Sequence, residues 1–180
     1  ISLFFLSFLF KIDKNKNEII ISSAFHAPWK DDKDFFNLYN EIKDCTLLDN
    51  KRLYTLWFFS KSLNNLKSNI LDIGCLKGGA GYTMAKANKE GTTHLIDTFG
   101  GLVENEKYNK KDHFVFKDIN FVKNKIKLFK LKNTRVIKAN FPKNMHQSFK
   151  RKKFKLCHID VNTYNATKSS FEFIRKKIVK

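Results

Sequence analysis

Four short segments of this chain carry residue types that could hold and activate a small molecule. The first is Asn69-Ile70-Leu71-Asp72-Ile73-Gly74-Cys75-Leu76-Lys77-Gly78-Gly79-Ala80-Gly81. An apolar run enters a glycine-bearing turn and leaves as a helix, so a ligand can approach bare backbone at Gly74, Cys75, Gly78 and Gly79. It would also meet the N–H groups at a helix N-terminus. A phosphate loop would need Lys after Gly79, where Ala80 stands, and the dinucleotide pattern of glycines at i, i+2 and i+5 has no match. Asp72, just ahead of the first glycine, would keep the pocket negative, which suits a methyl donor with an ammonium-bearing amino-acid tail. The competing reading of this segment is a structural glycine turn.

The second segment, Thr93-His94-Leu95-Ile96-Asp97, ends on an acid roughly twenty residues beyond the glycine turn, where a carboxylate can accept both ribose hydroxyls of a nucleoside cofactor. A surface Asp without a role is the alternative. Thr98-Phe99-Gly100-Gly101-Leu102 is expected to form a loop over that cofactor. In the third, Val136-Ile137-Lys138-Ala139-Asn140-Phe141, Asn140 would lie beside the adenine as a hydrogen-bonding group, or else serve as a turn former ahead of Pro142. The fourth, Leu156-Cys157-His158-Ile159-Asp160-Val161-Asn162, places an acid at a strand end next to the transferred group. Its carboxylate and an amide oxygen suit a hard divalent cation such as Mg²⁺, which makes Asp160 the candidate catalytic residue and metal ligand. His158 is expected to face away from Asp160 and to be a satisfied histidine, not a ligand.

These residues need a scaffold that brings strand ends together. Phe35, Leu38, Tyr39 and Ile42 recur at helical spacing after Asp34, and Leu53, Leu56, Trp57, Ser60 and Leu63 do so after Asp49, giving two lead-in helices. Strands over 69–74, 93–97, 134–139 and 154–159 alternate with helices over 79–88, around Ile119, Val122, Ile126 and Phe129, and over 165–177. The last helix is expected to turn Phe171, Ile174 and Ile178 inward. Repeated β-α units of this kind predict an α/β fold with a mainly parallel sheet flanked by helices, and ligands collect at the carboxyl ends of such strands.

The bulk composition narrows the classes further. At 180 residues the chain fits one domain with a real core. The formal charge of +18 would favour polyanions if it were clustered, but Lys is spread along the chain with abundant Asn, Ile and Phe. A solvated basic surface is therefore the preferred reading over a nucleic-acid face, runs such as Lys150-Arg151-Lys152-Lys153 notwithstanding. Cys45, Cys75 and Cys157 lack metal-ligand spacing and read as reduced structural thiols of a cytoplasmic protein. The apolar opening over residues 1–10 is too short to span a bilayer, and a short β-prone run at Ile19-Ile20-Ile21 follows it. Residues 1–28 are set apart as a segment of open role. The absence of an initiating Met and an end inside a helical pattern lead to the expectation that the chain is a fragment.

In this order, the segments resemble the macrocin O-methyltransferase (TylF/MycF-type) family of class I S-adenosylmethionine-dependent methyltransferases. The resemblance runs from about Trp29 to the end of the chain. It rests on Thr46-Leu47-Leu48-Asp49 with Arg52, Gly78-Gly79, Asp97-Thr98-Phe99-Gly100-Gly101, Phe141-Pro142, and Asp160-x-Asn162-x-Tyr164-x-x-Thr167-Lys168. The last of these matches a family pattern of Asp-x-Asp-x-Tyr-x-Ser-Thr opening a helix. The resemblance implies a Rossmann-like class I methyltransferase fold with its domain over 29–180, and S-adenosyl-L-methionine as cofactor. It also implies methyl transfer to a hydroxyl of a sugar, glycoside or natural product, assisted by Mg²⁺ at Asp160. Cofactor contacts then fall on Asp72, Gly74, Cys75, Gly78, Gly79, Asp97, Thr98, Phe99 and Asn140.

Two residues depart from the family pattern: Asp72 stands for a usual Glu, and Asn162 for an Asp, keeping an oxygen and losing a charge. In the family a Gly-Gly turn follows this last helix and leads to a strand whose Asp-Asp pair completes the metal site; the given sequence reaches neither by Lys180, so the C-terminal strands are expected to be missing. A homo-oligomer is compatible with these features, and no stable membrane span is expected. The alternatives are a nucleic-acid methyltransferase, whose usual proline-bearing turn is absent from Asp160-Val161-Asn162-Thr163, and an inactive cofactor-binding or basic interaction module.

Overall fold

The computed structural model describes residues 27–102, 114–145 and 147–179. The expectations for the apolar opening and for Ile19-Ile20-Ile21 lie outside the described residues. Helix α1 (Lys33–Ile42) begins where Asp32 can cap it: Oδ1 accepts from Phe35 N at 3.0 Å, an N-cap bond that contributes about 1 kcal/mol. The other carboxylate oxygen, Oδ2, accepts from Trp57 Nε1 at 2.8 Å and so ties α1 to α2 (Asn50–Ser62). Asp49 caps α2 by accepting from Lys51 N and Arg52 N. Phe35, Leu38 and Ile42 of α1 and Leu53, Trp57 and Ser60 of α2 are the buried faces, as the helical spacing predicts.

Four parallel strands follow: β1 (Asn69–Ile73), β2 (Thr93–Asp97), β3 (Thr134–Lys138) and β4 (Phe154–Ile159), in the spatial order β3-β2-β1-β4. They alternate with α3 (Gly79–Ala87), α4 (Ile119–Leu128), a four-residue helix α5 (Gln147–Lys150) and α6 (Tyr164–Ile174). The sheet is mainly apolar on both faces because helices cover both, the arrangement a parallel sheet requires. On one face Leu95 packs with Phe35, Leu53, Trp57, Tyr82 and Val122. On the other, Leu71, Ile73 and Ile96 pack with Phe141, Phe149, Phe154 and Ile174. The result is a Rossmann-like α/β fold.

The direction in which successive strands are added to the sheet reverses at β1, between β1 and β4. The chain steps outward from β1 to β2 and β3, then crosses back to place β4 on the other side of β1. That switch point opens a crevice at the carboxyl ends of β1 and β4.

The end of the chain departs from expectation. Helix α6 starts at Tyr164, with Thr163 Oγ1 accepting from Ala166 N at 3.4 Å, and stops at Ile174. That start sets its phase so that Ser170 and Ile174 are the buried pair, while Phe171 is 60% exposed. Ile178 lies past the helix, where it forms an isolated parallel bridge with Phe154 and stays partly open to solvent. Among the described residues, no helix is long and apolar enough to cross a membrane.

Candidate functional site

A cleft of about 630 Å³ occupies the switch point. Its floor is the glycine turn. Gly74 follows β1 with φ at +87°, and a Cβ there would come within 2.0 Å of the backbone oxygen of Asp160. Only glycine allows the ends of β1 and β4 to approach this closely. The Asp160 N–H donates to Ile73 O at 2.9 Å, which fixes Asp160 beside the turn while its exposed side chain lines the cleft. Gly78 shapes the same turn from behind: its φ is +93°, and the Tyr82 ring sits where a side chain would stand.

Asp97 joins the second strand end to the first. Its Oδ2 accepts from Leu76 N at 2.9 Å, inside the glycine turn, and its Oδ1 accepts from Phe99 N at 2.8 Å. A carboxylate has about four acceptor positions, so these bonds orient Asp97 and leave it able to take further donors from a ligand. The Thr98 hydroxyl donates to Gly101 O at 2.7 Å and closes the following loop, with Thr98, Gly101 and Leu102 facing the cleft.

Of the residues singled out by sequence, the structure brings Gly74, Cys75, Gly79, Asp97, Thr98, Asn140 and Asp160 to this one cleft. Asp72, Gly78 and Phe99 do not line it. Phe99, expected in a loop over the cofactor, is 2% exposed and packs into the core under α1 to α4, because a left-handed turn at φ +47° sends it inward. Asn140 combines both of its expected roles: it lines the cleft, and its carbonyl accepts from Asn144 N at 3.1 Å in the turn around Pro142.

Asp72 is fully buried beneath the turn, where its Oδ1 lies 2.8 Å from His158 Nδ1. The two are cross-strand partners in the β1–β4 register and share a face of the sheet. The expectation that His158 faces away from Asp160 does not hold. Residues two apart on a strand point to the same side, and the charges of both Asp72 and Asp160 act on the imidazole. Burial pushes His158 down, but the hydrogen bond to Asp72 and the two carboxylate charges outweigh it and hold the ring above its ordinary value. Burial pushes Asp72 up against the opposing pull of His158. Its second oxygen has no hydrogen-bond partner among the described residues. Asp72 thus lies under the floor without lining the cleft.

Several lining residues were not singled out as site residues. Asn165, Lys168, Ser169 and Glu172 of α6 line the cleft at i, i+3, i+4 and i+7, a polar stripe whose spacing is readable in the sequence. Lys143 and, from the lead-in, Thr46, Leu48 and Arg52 also line the cleft. Arg52 Nε donates to Asp49 Oδ2 at 3.0 Å. Cys45 and Cys75 also line the cleft, but burial raises both thiols above their ordinary value, and it pushes Cys157 up to about 12, so all three remain protonated. Among the described residues, no three His, Cys, Asp or Glu side chains gather into a group that could hold a metal ion.

No protein-family model matches this chain, and no curated protein does. Solved structures do match. One is the crystal structure of CalS11, a calicheamicin methyltransferase, which aligns over 94% of this chain and 81% of its own with a TM-score of 0.59 at 12% sequence identity. At that identity the likeness is one of fold.

Proposed function

We propose that this chain is the cofactor-binding domain, over 29–180, of an S-adenosylmethionine-dependent O-methyltransferase that acts on a hydroxyl of a sugar, glycoside or natural product. The observation that carries this reading is the convergence of Gly74, Asp97 and Asp160 from three strand ends on one cleft at the sheet's switch point. A methyltransferase among its structural neighbours supports the same reading.

The residues of the cleft divide the work. Gly74, Cys75 and Gly79 present backbone to the amino-acid part of the cofactor, and Asp97 accepts from the ribose hydroxyls. Thr98 and Asn140 flank the nucleoside. Bound there, S-adenosylmethionine supplies an electrophilic methyl group, so the protein's task is alignment and removal of the acceptor proton. Asp160, exposed at the rim, orients the acceptor hydroxyl and takes its proton. The polar stripe of α6 and the Arg52 side give the acceptor a hydrogen-bonding wall, which favours a polyhydroxylated substrate over an apolar one.

Mg²⁺ fits less well. It prefers six oxygen ligands in octahedral array, and Asp160 with Asn162 offers two side chains. No step is derived through a metal.

The reading is tested by incubating the protein with methyl-labelled S-adenosylmethionine and a panel of glycosides and vicinal diols. Label appearing in an ether product, and absent with Asp160→Ala, supports it. Label transferred to nucleic acid instead would point to the other methyltransferase class.

A further inference from the structure

A second cavity, of about 410 Å³, lies against the opposite side of β3 from α4 and shares no lining residue with the cleft. His94 and Arg135 are cross-strand partners in the β2–β3 register, so their side chains leave the same face of the sheet. Among the described residues, the turn after β3, the short helix α5 and the residues just past it supply Asn144, Met145, Phe149 and Lys152 to the lining of that face. The Phe149 ring of α5 meets the His94 ring edge-on, with centroids 5.2 Å apart.

His94 is 5% exposed, and neither of its ring nitrogens has a hydrogen-bond partner among the described residues. A neutral imidazole carries one donor and one acceptor, and burying both unpaired is unfavourable; an apolar side chain would pack there without that cost. Two cations, Arg135 and Lys152, line the same cavity, and no carboxylate does so among the described residues. Arg135 Nη1 donates to Thr134 O at 3.0 Å and to Lys132 O at 3.4 Å, which orients the guanidinium. Ile137, Met145 and Phe149 form the apolar wall. Burial, together with the charges of Lys152 and Arg135, holds His94 down to about 4, so at neutral pH it is an uncharged hydrogen-bonding group beside two fixed positive ones.

We infer that this cavity binds a small oxyanion with an apolar body, a carboxylate or phosphate ester whose head is taken by Arg135, Lys152 and His94 while its hydrocarbon packs on Phe149, Met145 and Ile137. The head group supplies acceptors for two cations and for the buried imidazole N–H. The body covers the apolar wall that α5 is too short to cover. The site is independent of the cleft, so the inference does not rest on the methyltransferase reading.

The test is NMR titration of the His94 ring signals in the full chain with four probes: benzoate, phenyl phosphate, benzamide and inorganic phosphate. Benzoate or phenyl phosphate should shift the signals saturably, and which of the two binds tighter identifies the head group. Benzamide, which lacks the charge, and inorganic phosphate, which lacks the body, should each bind at least about tenfold more weakly. The Arg135→Gln, Lys152→Gln double variant, changed only at residues that are not buried, should lose the benzoate response. Equal responses to benzoate and benzamide, equal binding of inorganic phosphate, or a double variant that titrates like the parent would each overturn the inference.

Discussion

His158 Nδ1 lies 2.8 Å from Asp72 Oδ1, joining β1 to β4 beneath the glycine turn. The carboxylate is fully buried and the imidazole is largely so. Two consequences can be measured.

Removing one partner leaves a buried charge alone. His158→Ala is expected to destabilise the fold by about 2–3 kcal/mol in urea unfolding. The Asp72→Leu, His158→Leu double variant, which removes both charges, should recover much of that loss. A His158→Ala variant as stable as the parent would mean that the pair contributes nothing.

His158 and His94 each give stability a pH dependence of their own. The folded-state value of His158 is raised, so the stability that its protonation contributes is complete below about 6.5, the unfolded value, and is lost as pH rises through the folded one. His94 runs the other way. Its folded value is lowered to about 4, so between about 6.5 and 4 the unfolded chain binds a proton that the folded chain does not, and stability falls as pH drops. Unfolding free energy measured across pH should therefore peak near neutrality. His94→Leu should flatten the acid side, and His158→Gln the alkaline side. A profile unchanged by either substitution contradicts these assignments.

Gly74 joins fold to site. Gly74→Ala puts a Cβ at a left-handed φ and into the Asp160 carbonyl, so β1 and β4 must part at their carboxyl ends. A loss of roughly 1–3 kcal/mol in stability is expected, together with displacement of Asp160. Gly100, where an added Cβ meets nothing closer than 3.8 Å, is the control, and Gly100→Ala should be close to neutral. Equal effects at the two positions would show that the approach of the strands is not what Gly74 secures.

Much of this architecture is legible in the sequence, and the rest is hidden for physical reasons. Phe35, Leu38 and Ile42 predict α1 because helical period is a local property, and Thr93 to Asp97 predicts β2 to the residue. Asp97 is legible because a strand end is marked by where apolar residues stop. Phe99 is not: one left-handed residue reverses its direction, and nothing in Thr98-Phe99-Gly100 says so. The Asp72–His158 pair and the His94–Arg135 neighbours depend on which strands lie side by side and in what register, which no local pattern encodes. The phase of α6 turned on its first residue. With Thr163 as the cap, Ser170 and Ile174 face the core, and the more apolar Phe171 does not.

The most direct measurement is calorimetric titration of the chain with S-adenosylmethionine and S-adenosylhomocysteine, repeated on Asp97→Ala and Asp97→Asn. Binding by the parent at a single site is expected, with Asp97→Ala weaker by about 1–3 kcal/mol and Asp97→Asn, which keeps an acceptor oxygen, between the two. No heat of binding in the parent, or equal affinity in all three proteins, would contradict the assignment of this cleft to a sulfonium nucleoside.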